Sequence, residues 1–167
     1  LVAGWAKSRN RKLVALTVDH RLNPESENWT RFASEAARAE GVPWQGLVWT
    51  TASGGTAVQA RARQARHGLL AEAARAAGAK VILMGHTWDD VAENLWMQHD
   101  GGSVGDLREW SPSPVWPQGR GVMLMRPLLD EKRETLRDYL RTQNKGWIDD
   151  PANEDSHYHR VRARKAL

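Results

Sequence analysis

The chain of 167 residues contains no cysteine. This absence excludes a disulfide scaffold, a thiolate zinc site and persulfide chemistry on these residues. The chain also lacks an apolar run long enough to span a bilayer, and its first residues lack the basic start of a secretory signal. We therefore expect a cytoplasmic protein. The length predicts one domain of ordinary size with a real hydrophobic core.

Positive charge is the main compositional bias that the chain does have. The formal net charge is +4, and the basic residues, most of them arginine, gather in the ranges 9–12, 61–66 and 157–165. Such clusters permit phosphate or nucleic acid as a partner. A solvated surface explains any single cluster equally well.

Apolar runs of strand length alternate with helical segments along the chain. This order indicates parallel strands joined by right-handed crossovers, so we predict an α/β fold with an open parallel sheet and helices on both faces. Residues 101–121 show no periodicity and are predicted to form a loop that orders on demand. The predicted strands cover 12–18, 45–51, 80–85 and 122–125, and the predicted helices cover 29–40, 58–77, the segment after Gly85, and 130–142.

An acidic helix after the third predicted strand is the strongest candidate site. Its ionisable residues His86, Asp89, Asp90 and Glu93 are spaced i, i+3, i+4 and i+7, which places them on one helix face. Carboxylates so close need a counter-charge, and Mg²⁺ or a substrate ammonium fits that need. Capping is the alternative, because Thr87 with Asp90 resembles a capping box. Capping does not explain why His86 and Glu93 lie on the same helix face.

Two further pairs of polar residues are candidates for a binding site. One pair follows the first predicted strand, and the other lies on a predicted helix. Asp19 and His20 come after the first strand and suit a substrate hydroxyl or phosphate, although a histidine in such a loop is more often structural. Arg63 and Arg66 are three residues apart on a helix and can reach one anion together, unless they only form a solvated face. Residues 53–56, Ser-Gly-Gly-Thr, look like a phosphate-binding loop, but no acid or hydroxyl for a metal follows them. We interpret them as an ordinary turn.

Several blocks of the chain together resemble the tRNA(Ile)-lysidine synthetase family, which are N-type ATP pyrophosphatases, also called PP-loop ATPases. Residues 18–26 resemble the family's V-D-H-G-L-R-P-E-S segment, and residues 60–67 resemble its A-A-R-x-A-R-Y helix. Residues 85–93 resemble its A-H-H-x-D-D-Q-A-E-T signature. The family's R-P-L-L, W-x-x-D-P-S-N and terminal basic run are matched by residues 126–129, 147–153 and 158–164. The joint match in order and spacing is far more specific than any one block.

The resemblance implies a Rossmann-like sheet of the adenine nucleotide alpha-hydrolase type that is N-terminally incomplete. Residues 1–150 would form the PP-loop catalytic core without its first strand and phosphate loop. Residues 151–167 would be a basic C-terminal segment of the same domain. The family's S-G-G-x-D-S loop should lie upstream of Leu1, so we expect the chain to be a fragment or a trimmed protein.

The resemblance also implies a ligase reaction in two steps. ATP would adenylate the C2 oxygen of the wobble cytidine, C34, in a tRNA(Ile) with a CAU anticodon, and the amine of L-lysine would then displace AMP. ATP and Mg²⁺ are the implied cofactors, and a homodimer is an open alternative for the assembly.

Residue roles carry over from the matched motifs. Asp90 and Glu93 would hold the lysine ammonium, and Asp89 or His86 would order the nucleotide or its Mg²⁺, with Asp89 as the metal ligand. Arg63, Arg66, His20 and Asp19 would bind the nucleotide. The implied nucleic acid contacts are Arg126, Asn153, Arg160, Arg162 and Arg164.

The chain departs from the family pattern at several positions. Arg21 replaces a glycine, Asn23 an arginine and Asn94 a threonine, and residues 100–105 lack the arginine of the family's R-G-S-G. Three alternatives stay open. One is a catalytically inactive module that binds tRNA or nucleotide. The others are a related tRNA-thiolation enzyme, although those generally rely on cysteine, and a metal-dependent hydrolase.

Overall fold

The computed structural model of the chain describes residues 1–50, 58–102, 104–150 and 159–167, without the side chains of 58–60. These residues form two compact units. The first comprises Leu1–Ile82 and Pro112–Met123, and the second comprises Leu83–Ser111 and Leu124–Leu167. The division at residue 150 that the sequence suggests stays a prediction.

The first unit is built on a parallel pair of strands. β1 and β2 pair in parallel, with Ala15 opposite Trp44 and Asp19 opposite Val48, so the predicted parallel α/β arrangement is confirmed for this pair. Helix α2 (Ser26–Ala39) connects them and ends close to the predicted limit at residue 40, where Gly41 follows with a φ of +66° that suits glycine. The elements are α1 (Val2–Ser8), β1 (Ala15–Asp19), α2 (Ser26–Ala39), β2 (Trp44–Val48) and α3 (Val58–Ala76).

Three short strands form a second sheet in the order β3, β5, β4. They are β3 (Val81–Leu83), β4 (Trp110–Pro112) and β5 (Met123–Met125). The third strand predicted over 80–85 was partly wrong, because β3 is shorter and only its Ile82 is buried, while Val81 and Leu83 are exposed. The predicted loop over 101–121 was also partly wrong, because it contains β4.

The second unit contains three helices, α4 (Trp88–His99), α5 (Arg133–Thr142) and α6 (His159–Ala166). The described part of the basic C-terminal segment is helix α6, which packs on α4. Val161 and Ala163 of α6 are buried, with 4% and 0% of their surface exposed. None of the helices among the described residues is both long and apolar enough to cross a membrane.

Candidate active site

Helix α4 begins with a reciprocal cap between Thr87 and Asp90. The Thr87 backbone N–H donates to Oδ2 of Asp90 at 2.8 Å, and the Thr87 hydroxyl donates to the same oxygen at 3.0 Å. The geometry is a capping box, which satisfies groups that a helix start otherwise leaves unpaired. The capping alternative is therefore confirmed for Asp90. Its second oxygen, Oδ1, takes no part in the cap and lies 3.8 Å from Nη2 of Arg160.

Asp89 ties the start of α5 to the start of α4. Its Oδ2 accepts the backbone N–H of Arg133 at 2.7 Å and the Thr87 hydroxyl at 3.4 Å. Burial by itself raises the pKa of Asp89, but the hydrogen bond and the charge of Arg133 outweigh burial and lower the pKa below its usual value. Asp89 is therefore a carboxylate at neutral pH.

Glu93 is buried among three arginines. It is 1% exposed, and its Oε1 lies 2.6 Å from Nε of Arg164 and 3.2 Å from Nη2 of Arg133. Its Oε2 lies 2.9 Å from Nε of Arg160. We call Glu93 with these three arginines the arginine cluster. The counter-charge that the acidic helix needs is thus supplied, at Glu93, by guanidinium groups of the chain itself.

Asn94 extends the arginine cluster at the position where the family motif has threonine. Its Oδ1 accepts from Nη2 of Arg160 at 2.9 Å, and its Nδ2 donates to the Gly105 carbonyl at 3.0 Å. The same Arg160 nitrogen lies 3.8 Å from Oδ1 of Asp90. Arg160 therefore links Glu93, Asn94 and Asp90. The only sequence signal for the contact between Asn94 and Arg160 was that Asn94 departs from the family motif. No sequence signal indicated that Arg133 belongs to the site.

A second set of contacts fixes the start of α6. Nε2 of His159 lies 2.8 Å from Oδ2 of Asp100, and the His159 ring meets the Trp96 ring edge to face. A Cβ at Gly102 would lie 2.6 Å from the Met97 carbonyl oxygen and 2.9 Å from Cε1 of His159, so only glycine fits there. The end of α4 and the start of α6 are therefore closely packed.

The predicted nucleic acid residues occupy different environments. Arg126 is 6% exposed, and its Nη1 donates to the Arg108 carbonyl at 2.8 Å and to the Ser111 hydroxyl at 3.1 Å. An RNA contact by Arg126 stays a prediction, and this burial gives it no support. Arg160 and Arg164 belong to the arginine cluster, whereas Arg162 is exposed. Asn153 and the Ser-Gly-Gly-Thr turn at 53–56 lie outside the described residues.

The first unit brings His20, Asp19 and Arg66 together at the end of β1. The His20 ring meets the Trp49 ring edge to face, and its Nδ1 is buried with no hydrogen-bond partner among the described residues. Burial, and then the charge of Arg66, lower the pKa of His20, while Asp19 opposes them. A buried nitrogen without a partner beside a guanidinium fits a polar, anionic ligand such as a nucleotide. Arg63 lies exposed on α3.

Metal ligands do not cluster in the part of the chain that the structure describes. No three side chains of histidine, aspartate or glutamate lie close enough there to hold a metal ion. Asp90 is turned towards Thr87 and Glu93 towards the arginines. The role of Asp89 as a Mg²⁺ ligand stays a prediction.

Polar and charged side chains at the carboxyl end of a parallel strand pair, together with an acidic helix that follows a strand, place the chain among the α/β proteins that bind ligands at the carboxyl ends of their strands. A family model described as a PP-loop domain matches residues 1–167. The chain therefore belongs to the PP-loop domain family.

Relatives with assigned names agree with this membership. The chain is 50% identical to the tRNA(Ile)-lysidine synthase of Caulobacter vibrioides over 99% of its own length and 40% of that relative. It is 40% identical to the tRNA(Ile)-lysidine synthase of Hyphomonas neptunium over 98% of its length and 45% of that relative. The chain thus spans less than half the length of these relatives.

A solved structure shows the same fold at low identity. It is the U34-tRNA thiolase NcsA from Methanococcus maripaludis with its [4Fe-4S] cluster. The match has a TM-score of 0.74 and 16% identity, and it covers 94% of this chain and 55% of that one. The similarity shows the fold and confirms the predicted sheet type of the adenine nucleotide alpha-hydrolases.

Proposed function

We propose that this chain is the PP-loop part of a tRNA(Ile)-lysidine synthase, a ligase that joins lysine to C34 of tRNA(Ile) with a CAU anticodon. The observation that carries the proposal is the 50% identity to a protein of that name across 99% of this chain. The arginine cluster around the buried Glu93, close to Asp89 and Asp90, adds a preorganised charged site. The protein would act in the cytoplasm, and the proposal requires no second copy of the chain.

The proposed reaction has two balanced steps. The C2 oxygen of the cytosine attacks the α-phosphorus of ATP, and the bond to pyrophosphate breaks. The lysine amine then attacks C2, the bond to AMP breaks, and the amine loses its proton. The protein contributes positioning and stabilisation of charge, which are the effects that lower such barriers most.

Asp90 and Asp89 are the carboxylates that we propose for the lysine ammonium. Both sit in the first turn of α4, and Oδ1 of Asp90 is not used by the cap. The role of Glu93 as an ammonium ligand stays untested, but three guanidiniums around its carboxylate would repel a fourth cation. We propose instead that Glu93 anchors α6 on α4 through Arg160 and Arg164. His86 directly precedes the cap and would line the same helix start.

The groups at the end of β1 are our proposed nucleotide ligands. His20 offers a buried nitrogen, Arg66 supplies positive charge, and Arg63 would reach the same phosphates from α3. Asp19 would order the loop, since its Oδ1 accepts the backbone N–H of Arg21 at 2.7 Å. Mg²⁺ remains a proposed companion of ATP, and no step above depends on a protein ligand for it.

The substitution Asp90→Asn in the full-length protein tests the proposal. Asparagine retains an oxygen that can accept the Thr87 N–H, so the cap persists while the charge is lost. We expect transfer of radiolabelled lysine to a tRNA(Ile) transcript to fall by about 100-fold, with tRNA affinity unchanged within experimental error. Asp130→Asn, an exposed acid before α5, is the matched control and should retain activity.

Other outcomes separate the alternatives. Wild-type protein that binds tRNA but never transfers lysine in the presence of ATP would support an inactive binding module. Equal loss of tRNA binding and lysine transfer in Asp90→Asn would point to a folding defect, which a thermal melt of the variant would detect. Full activity of Asp90→Asn would contradict the proposed role of the carboxylate.

A further inference from the structure

The turn between β4 and β5 exposes a tryptophan. Trp116 is 73% exposed, the highest value for a tryptophan among the described residues. The guanidinium of Arg120 lies over its ring at 5.5 Å. A cation stacked on one face of an indole leaves the other face open to a second flat group.

This turn is firmly held. Its backbone closes with hydrogen bonds from Gly119 N–H to the Val115 carbonyl at 2.9 Å and from Val122 N–H to the Gly119 carbonyl at 3.0 Å. A Cβ at Gly119 would collide with Ser113, so the turn is packed against itself. A guanidinium nitrogen of Arg75 on α3 donates to the Arg120 carbonyl and fastens the turn to the helix. These contacts hold the turn, and with it the exposed Trp116, in one position.

An open cleft of about 570 Å³ lies beside Trp116 within the first unit. This volume is in the range of sites that hold one small organic molecule. Its walls combine the aromatic side chains Trp49 and Trp116 with groups that can hydrogen-bond, namely Arg61, Gln64, Glu72 and Gln118.

The charges that line the cleft discriminate between candidate ligands. Among the described residues that line the cleft, Arg61 and Glu72 are the only ionisable ones, and their formal charges cancel. A lining with no net charge does not suit a triphosphate. Amides, a carboxylate and a guanidinium do suit the donor and acceptor edges of a neutral base.

We propose that this cleft binds an unpaired nucleotide of the RNA substrate, with its base stacked on Trp116 and its phosphate near Arg120. Proteins that bind single-stranded RNA combine aromatic stacking platforms with arginine in this way. The proposal rests on the proposed function to the extent that an RNA must be the substrate. It concerns the first unit and is independent of the acidic helix.

The test compares three variants of the full-length protein. Trp116→Ala should weaken binding of a tRNA(Ile) transcript by about 10-fold, since a stacked base contributes about that order of affinity. Trp116→Phe retains an aromatic ring and should stay within about 3-fold of wild type. Trp5→Ala is the control, because Trp5 is 54% exposed on α1 and lines no part of the cleft. Matching thermal melts verify that each variant is folded.

Photocrosslinking gives a second readout. A transcript with 5-iodouridine in its unpaired loops should crosslink to the peptide that contains Trp116, and ATP should not compete. Unchanged affinity in Trp116→Ala would overturn the inference. Loss of the crosslink on adding ATP would overturn it as well, because the cleft would then be a site for the free nucleotide.

The outcomes also separate this inference from the proposed function. Wild-type protein that crosslinks through Trp116 but never forms lysidine would contradict the proposed function and retain the RNA site. Lysidine formation with the same KM for tRNA in wild type and Trp116→Ala would retain the function and overturn the RNA site.

Discussion

Nε of Arg164 lies 2.6 Å from Oε1 of the fully buried Glu93, joining residues that are 71 positions apart in the chain. This ion pair fastens α6 to α4, and Arg160 repeats it one helical turn earlier. The acidic helix of a PP-loop domain is here held in place by cations of the same unit. Stability and the proposed chemistry are therefore coupled at Glu93.

Glu93→Gln should destabilise the protein strongly. Glutamine fills nearly the same space, but it leaves three guanidiniums without their buried anion, and breaking a buried pair in this way costs about 3 kcal/mol. Urea denaturation would measure the loss. Glu134→Gln is the control, since Glu134 is exposed and contacts Arg137 and Arg141 at the surface of α5. Similar denaturation midpoints for the two variants would contradict the role of burial.

Local features of the site could be predicted from the sequence. The Thr87 and Asp90 cap depends on residues three apart, and the stop of α2 at Gly41 depends on one residue, so each has a short-range signal. Helix α3 was likewise predicted over 58–77 and observed over Val58–Ala76. Composition and periodicity are signals over the same short distances, so they predict local features such as helices and their ends.

Partners distant in sequence could not be predicted. Helical spacing placed Glu93 on a charged face, but its partners lie 40 or more residues away, and no local pattern identifies Arg133 among the arginines of the chain. A basic run does not indicate which way its side chains point. The terminal arginines were therefore predicted to contact RNA, although two of them contact Glu93. Strand β4 was missed because it is only three residues long and includes a proline, Pro112, which is uncommon in strands.

Alternate arginines of α6 should behave differently in RNA binding. Arg162 is exposed, whereas Arg164 contacts Glu93. Arg162→Ala should reduce the slope of log K against log salt for tRNA binding by about one, the change expected for one lost phosphate contact. Arg164→Ala should lower the melting temperature. An unchanged slope in Arg162→Ala would remove this face of α6 from the proposed RNA interface.

His20 should make stability depend on pH in the mildly acidic range. Its folded-state pKa lies below the unfolded value of 6.5, owing to burial and Arg66, so the native state favours the neutral ring. The contribution is complete above pH 6.5 and is lost as the pH falls towards the folded-state pKa, because the unfolded chain takes up the proton first. His20→Gln should flatten the difference in denaturation midpoint between pH 7 and pH 5. His99→Gln, at the exposed end of α4, should retain the wild-type difference.

Arg21→Gly should stabilise the protein. Arg21 has a φ of +51°, which strains most side chains, and the family motif has glycine at this position. The hydrogen bond to Asp19 uses the backbone N–H and survives the change. Relief of strain exceeds the added entropy of the unfolded glycine by about 0.5 kcal/mol, which urea denaturation can resolve. Asn144→Gly is the matched control with the same φ of +51°, and it should gain less because asparagine tolerates this conformation. A lower denaturation midpoint for Arg21→Gly than for wild type would show that the Arg21 side chain itself stabilises the loop.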